Sequence, residues 1–208
     1  MLYAPAALAG APESRSPRSR VRLLLAAGFA IQVALRLWLF RYHTRPVANP
    51  DEVGYLIAAR WLTGGPGIDL SGPGTTFYQG GYALLLTPLY GLTDDPVIVY
   101  RLVVVVGSLA AAGVFPLAYL LLRRLAVGGR AALPLAFAAG AAPSLLLFSG
   151  LALADAVLPT LLLGWLLAVH ELARLGSVRA GLAAGALGAY AVAVHLRGTV
   201  VLAVTVAV

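Results

Sequence analysis

The sequence has no cysteine, no lysine and few charged residues of either sign. Without cysteine, the chain has neither disulfides nor thiolate metal sites. Only 11% of its 208 residues are charged, whereas a soluble domain has about 25%. Hydrophobic residues make up 61% of the chain, and the mean hydropathy is +0.90. These values exclude an ordinary soluble enzyme and a disordered protein, and they indicate a polytopic membrane protein.

All fifteen basic residues are arginine, and with eight acids they give a net charge of +7. The arginines lie at the ends of apolar runs, which indicates membrane topology rather than a nucleic-acid partner. Nine arginines fall on the same side as the N-terminus, and six of the eight acids fall on the other side. By the positive-inside rule we expect a multi-pass protein of the cell (cytoplasmic) membrane, with a cytoplasmic N-terminus and a long first loop outside.

The apolar runs predict an all-α transmembrane helical bundle. We expect residues 1–20, which are polar and rich in arginine, to form a disordered cytoplasmic tail. Residues 21–208 are expected to form the membrane module, with about five complete spans and a further run that begins at residue 200. The five runs cover residues 23–40, 97–122, 131–148, 151–169 and 180–196.

The first outer loop is predicted to contain two short helices at the membrane surface. The first covers 49–62, because Asn49 is a good N-cap, Pro50 suits the first helical position and Glu52 completes a capping box. Apolar residues recur on one face of this helix at helical spacing: Val53, Leu56, Ile57 and Trp61. The second covers 82–92, which is too short to span a bilayer.

Ionisable residues from several separate segments fall at the predicted outer face. They are Asp51, Glu52, Arg101, Asp155, His195 and Arg197. Asp51 and Glu52 suit a general base, but acids at this position also complement a helix dipole. Arg101 suits a phosphate group, or it extends to the membrane interface. Asp155 needs a partner among the outer arginines, either in a site or in a structural ion pair.

The remaining sequence patterns give no further candidate catalytic or metal site. The sequence has no glycine-rich phosphate motif, and its three scattered histidines give no metal motif. Gly181 and Gly185 form a GxxxG pair, which favours close helix packing within the bundle.

An ordered set of short motifs resembles a known family. The set includes residues 49–52 (Asn-Pro-Asp-Glu) with Tyr55, residues 78–82 (Tyr-Gln-Gly-Gly-Tyr) and residues 100–102 (Tyr-Arg-Leu). It resembles the N-terminal membrane module of GT-C-type, polyprenyl-phosphate-dependent glycosyltransferases, such as protein O-mannosyltransferases and lipid A aminoarabinose transferases. The resemblance implies an all-helical membrane bundle with juxtamembrane amphipathic helices in the first outer loop.

The resemblance also implies an activity and a site. The reaction would transfer a sugar from a polyprenyl-phosphate donor to an acceptor (a lipid, a glycan or a protein) at the outer face of the membrane. The acidic pair Asp51 and Glu52 matches the catalytic carboxylate position, and Arg101 matches the donor-phosphate position. Further residues expected to line the site are Asp155, Tyr55, Tyr78, Gln79 and Arg197. No nucleotide is needed, and a divalent metal is possible although no residues mark its ligands.

The chain departs from that family in length, and two other functions stay open. Family members usually have more spans, whereas this sequence stops at Val208 inside an apolar run, so we expect the N-terminal portion of a longer enzyme. One alternative is a non-catalytic membrane scaffold that uses the GxxxG face. The other is a transporter or lipid-translocating bundle, which would need polar residues at mid-depth of the membrane.

Overall fold

The computed structural model describes residues 17–47, 50–65 and 79–207, and these residues form helices and connecting turns without a β-strand. The predicted all-α class is therefore confirmed for the described residues. The helices are α1 (Pro17–Leu39), α2 (Asp51–Leu62), α3 (Gly80–Tyr90), α4 (Pro96–Ala112), α5 (Val114–Arg124), α6 (Gly129–Gly140), α7 (Pro143–Phe148), α8 (Leu158–Leu175), α9 (Val178–Val194) and α10 (Gly198–Ala207). A single 3₁₀ turn, Ala154–Ala156, lies between α7 and α8.

Three helices among the described residues are long and apolar enough to cross a membrane. They are Ser19–Leu39, Pro96–Arg124, in which α4 and α5 follow one another directly, and Leu158–Leu175. The sequence pattern predicts about five spans, and three described helices meet this criterion of length and composition. The shorter helix α9 is apolar but has only 17 residues.

Two predicted spans differ from the structure for local reasons. The run 131–148 is divided into α6 and α7, because Pro143 starts a new helix after a break at residues 141–142. The run 151–169 does not begin as a helix, since residues 151–157 form turns and the 3₁₀ segment before α8. Hydropathy alone gives no signal for either break, and Pro143 is the local mark of the first one.

The helices of the predicted outer loop are present where the sequence places them. Helix α2 begins at Asp51 after Pro50, whereas Asn49 and its predicted cap lie outside the described residues. Helix α3 occupies the second predicted segment. The tail expected over 1–20 is also outside the described part up to residue 16, and residues 17–20 form the first turn of α1.

Polar contacts define two ends of the bundle. At the arginine end, which carries Arg123, Arg124, Arg130, Arg174 and Arg179, the Arg124 guanidinium lies 3.0 Å from the Glu171 carboxylate and joins α5 to α8. The opposite end, which we call the α2 end, contains α2, α3, the C-termini of α1 and α9, and the N-termini of α4, α8 and α10. The largest buried cluster lies at the α2 end, around Tyr82, Tyr100 and residues 151–157.

Two buried polar side chains of α1 donate hydrogen bonds to backbone carbonyls at the end of α6. The Gln32 side-chain amide donates a hydrogen bond to the Phe137 carbonyl at 2.9 Å. The Arg36 guanidinium donates to the Gly140 carbonyl and, at 3.1 Å, to the Gln32 side-chain oxygen. Because the last carbonyls of a helix have no partner within it, this pair stabilises the break between α6 and α7.

Close packing of α3 against α9 gives a test of the fold. Gly81→Ala is expected to destabilise the protein by about 1–3 kcal/mol through overpacking, because its Cβ would lie 2.5 Å from the backbone of Ala193. Gly80→Ala is the matched control, since nothing lies within 4 Å of a Cβ there. Thermal unfolding of the purified protein in detergent measures both, and equal midpoints would contradict this helix contact.

Candidate functional site

The buried carboxylate of Glu52 joins three separate segments at the α2 end. Glu52 has no exposed surface. Its Oε1 accepts a hydrogen bond from the Val47 backbone N–H at 2.8 Å. Its Oε2 accepts from the Tyr100 hydroxyl at 2.5 Å and from the Ala152 backbone N–H at 2.7 Å. One side chain therefore connects α2 to the preceding loop, to α4 and to the segment before α8.

Asp51 and Glu52 are neighbours in the sequence but have different surroundings. Asp51 is exposed at the first position of α2, whereas both oxygens of Glu52 accept hydrogen bonds inside the protein. A general base must reach the proton that it removes. Asp51 is the more accessible of the two carboxylates, and the hydrogen bonds of Glu52 hold α2 in place. A catalytic role for either residue stays a prediction.

The tyrosines near this pair pack as part of the core. Tyr55 and Tyr82 form an edge-to-face contact with their ring centroids 5.0 Å apart. Burial raises the pKa of Tyr82, and the negative charge of Glu52 raises it further. Tyr55 itself is buried, so its side chain is not open to a substrate. Of the other predicted lining residues, Gln79 is half-buried just before α3, and Tyr78 lies outside the described residues.

A cavity of about 370 Å³ lies between the loop after α1, helix α2 and the start of α4. Its walls are largely apolar, and Tyr100, which binds Glu52, forms part of them. Three charged side chains line it: Arg45, Arg60 and Asp94. A pocket of this size with apolar walls and a few charged groups is typical of a small-molecule site.

None of the predicted site residues in the described part of the chain lines this cavity, Asp51 and Glu52 included. Arg101 is exposed and is not among its lining residues. Asp155 pairs with Arg197 at 3.4 Å, so it has the arginine partner that the sequence led us to expect. That pair lines a separate groove of about 440 Å³ between α7, α8 and α10. His195 lies beside it, because its Nδ1 accepts a hydrogen bond from the Arg197 backbone N–H.

Metal ligands do not gather in the part of the chain that the structure describes. No three His, Asp or Glu side chains there are close enough to hold an ion.

No protein family, curated protein or solved structure matches this chain. Any inference about function therefore rests on the residues and geometry at the α2 end.

Three residues of this region were not candidates in the sequence. Tyr100 entered only as a neighbour of Arg101, and Arg45 and Arg60 only as loop arginines. A signal for Arg60 does exist, since it lies four residues after Leu56 and seven after Val53, on the same helical face. Nothing in the sequence marks Arg45.

The Glu52 hydrogen bonds give a second test. Tyr100→Phe is expected to destabilise the protein by about 1.5–3 kcal/mol, because it removes a donor to a charged buried acceptor. Tyr82→Phe is the matched control, since the buried Tyr82 hydroxyl has no hydrogen-bond partner among the described residues. The stability of the Tyr82→Phe variant should therefore be unchanged or higher. Denaturation in detergent compares the two, and an equal loss in both variants would contradict the assigned contact.

Proposed function

We propose that this chain is a membrane glycosyltransferase, or the N-terminal portion of one, that transfers a sugar from a polyprenyl-phosphate donor to an acceptor at the outer membrane face. One observation carries the proposal: the exposed Asp51 carboxylate stands at the start of a short surface helix that buried Glu52 fixes beside an apolar cavity containing arginines. The candidate base and the cavity share helix α2, with Asp51 at its start and the cavity-lining Arg60 in its last turn. The order of motifs described above supports the same class.

The proposed setting is the cell membrane, with the α2 end outside and several helices across the bilayer. Three helices of suitable length and composition support this setting. The clustering of arginines at the other end supports its orientation, because positive residues favour the cytoplasmic side. In this orientation Asp51 faces the compartment from which the acceptor would come.

The proposed reaction is a single inverting displacement. The acceptor oxygen or nitrogen attacks the anomeric carbon of the sugar and forms the new glycosidic bond. The bond from that carbon to the phosphate oxygen breaks, and its electron pair leaves with the lipid phosphate. Asp51 takes the proton that the acceptor loses. An arginine at the α2 end stabilises the negative charge of the departing phosphate.

Asp51→Asn is expected to reduce transfer by about 10²- to 10⁴-fold, because the amide cannot accept the proton. Transfer is measured as polyprenyl phosphate released from polyprenyl-phosphate mannose or polyprenyl-phosphate aminoarabinose, with a membrane extract supplying acceptors.

The matched control is Asp95→Asn. Asp95 is another exposed acid of the α2 end, whose side chain accepts the Val97 backbone N–H at 2.8 Å as the N-cap of α4. Asparagine is an equally good N-cap, so this variant should keep full transfer. Full transfer by Asp51→Asn would eliminate Asp51 as the base, whereas absence of transfer by the unaltered chain would favour a scaffold.

The proposed orientation has a clean test because the chain contains no cysteine. Thr63→Cys places a thiol just after α2, and Gly128→Cys places one in an exposed turn at the arginine end. A membrane-impermeant maleimide is expected to label Thr63→Cys in intact cells, and Gly128→Cys only after the membrane is opened. The reverse pattern would place the α2 end in the cytoplasm and exclude the proposed orientation.

A further inference from the structure

Two arginines of the cavity come from different segments and have no carboxylate close by. Arg45 belongs to the loop after α1, and Arg60 to the last turn of α2. Within the described ranges, ion pairs form at Arg124 and Arg197, and no carboxylate lies within 4 Å of either Arg45 or Arg60. Two guanidinium groups on one cavity therefore remain available to an anion.

The charge of the cavity lining is positive overall. Among the lining residues that the structure describes, Asp94, in the turn between α3 and α4, is the one acid against two arginines. The charge of Arg60 also acts across the cavity on Tyr90. Burial raises the pKa of Tyr90, and the Arg60 guanidinium opposes that effect. Arg60 and Tyr90 are thus close enough to interact electrostatically, and both line the cavity.

The rest of the cavity surface is suited to hydrocarbon. Val53, Leu56 and Ile57 of α2 face Val97 and Val99 of α4 across it. Helix α4 starts the longest of the three candidate spans, so the apolar wall continues directly into a segment suited to the bilayer. A molecule with an anionic group and an apolar chain would therefore find arginines for its charge and an apolar wall for its chain.

We infer that this cavity binds the phosphate headgroup of a polyprenyl phosphate, held by Arg45 and Arg60, with the first prenyl units against α2 and α4. The inference rests on the proposed function and names its donor site. Arginine is suited to the role because its planar guanidinium can donate two parallel hydrogen bonds to a phosphate. The volume of about 370 Å³ suits a headgroup and the start of a chain, and the remaining chain would lie in the bilayer.

This assignment differs from the one that the family resemblance implies. The resemblance gives the phosphate to Arg101, which is exposed on α4 outside the cavity. Arg101 therefore provides a matched control, because it is an exposed arginine from the same end of the protein. Arg45 and Arg60 are exposed too, so replacing any of the three leaves the buried core unchanged.

The experiment measures lipid binding rather than transfer. The full chain and its Arg45→Gln, Arg60→Gln and Arg101→Gln variants are purified in mild detergent and checked for equal thermal midpoints. Each is titrated with undecaprenyl phosphate and observed by native mass spectrometry, with undecaprenol and inorganic phosphate as separate probes. We expect at least tenfold weaker binding for Arg45→Gln and Arg60→Gln, and less than a twofold change for Arg101→Gln.

The outcomes separate this inference from the proposed function. Loss of binding in Arg101→Gln alone would overturn the cavity assignment and leave the glycosyltransferase proposal standing. If undecaprenol binds as tightly as undecaprenyl phosphate, the phosphate headgroup is not recognised. If inorganic phosphate binds as tightly as undecaprenyl phosphate, the prenyl chain is not recognised. Both results overturn the inference. Absence of any lipid binding by the unaltered chain would count against both proposals.

Discussion

A single buried carboxylate, that of Glu52, determines the geometry of the α2 end. Its two oxygens accept hydrogen bonds from Val47, Tyr100 and Ala152, which belong to segments far apart in the chain. If the carboxylate were removed, the buried Tyr100 hydroxyl and Ala152 N–H would lose this partner inside the core, which is energetically costly. The position of α2, and with it of Asp51 and the cavity wall, therefore depends on this set of bonds.

Sequence reasoning predicts helices well where capping residues mark them and poorly where both sides of a break are apolar. Helix α4 begins at Pro96 behind the Asp95 cap, one residue before the predicted run over 97–122. The break after α6 is different, because alanine and leucine continue through it and only Pro143 marks the restart. What permits the break is the Gln32 amide and the Arg36 guanidinium from α1, and hydropathy cannot show such a contact.

The same limit applies to the candidate site. Asp51 and Glu52 are equivalent by spacing, since both are acids in the first turn of one helix. Their difference comes from Tyr100, 48 positions later, and from Ala152, 100 positions later. Helical spacing does place Arg60 on the same face of α2 as Val53 and Leu56, so its position on the cavity side could be predicted from the sequence. The role of a side chain on a loop, such as Arg45, follows only from the folded structure.

The contact between α1 and the end of α6 also sets an order for biosynthesis. Arg36 is synthesised 104 positions before the Gly140 carbonyl that it binds. Until α6 is made, this guanidinium has only the Gln32 carbonyl and side-chain oxygen of its own helix as partners among the described residues. The hydrogen-bonding of Arg36 is therefore completed by a segment made much later in translation.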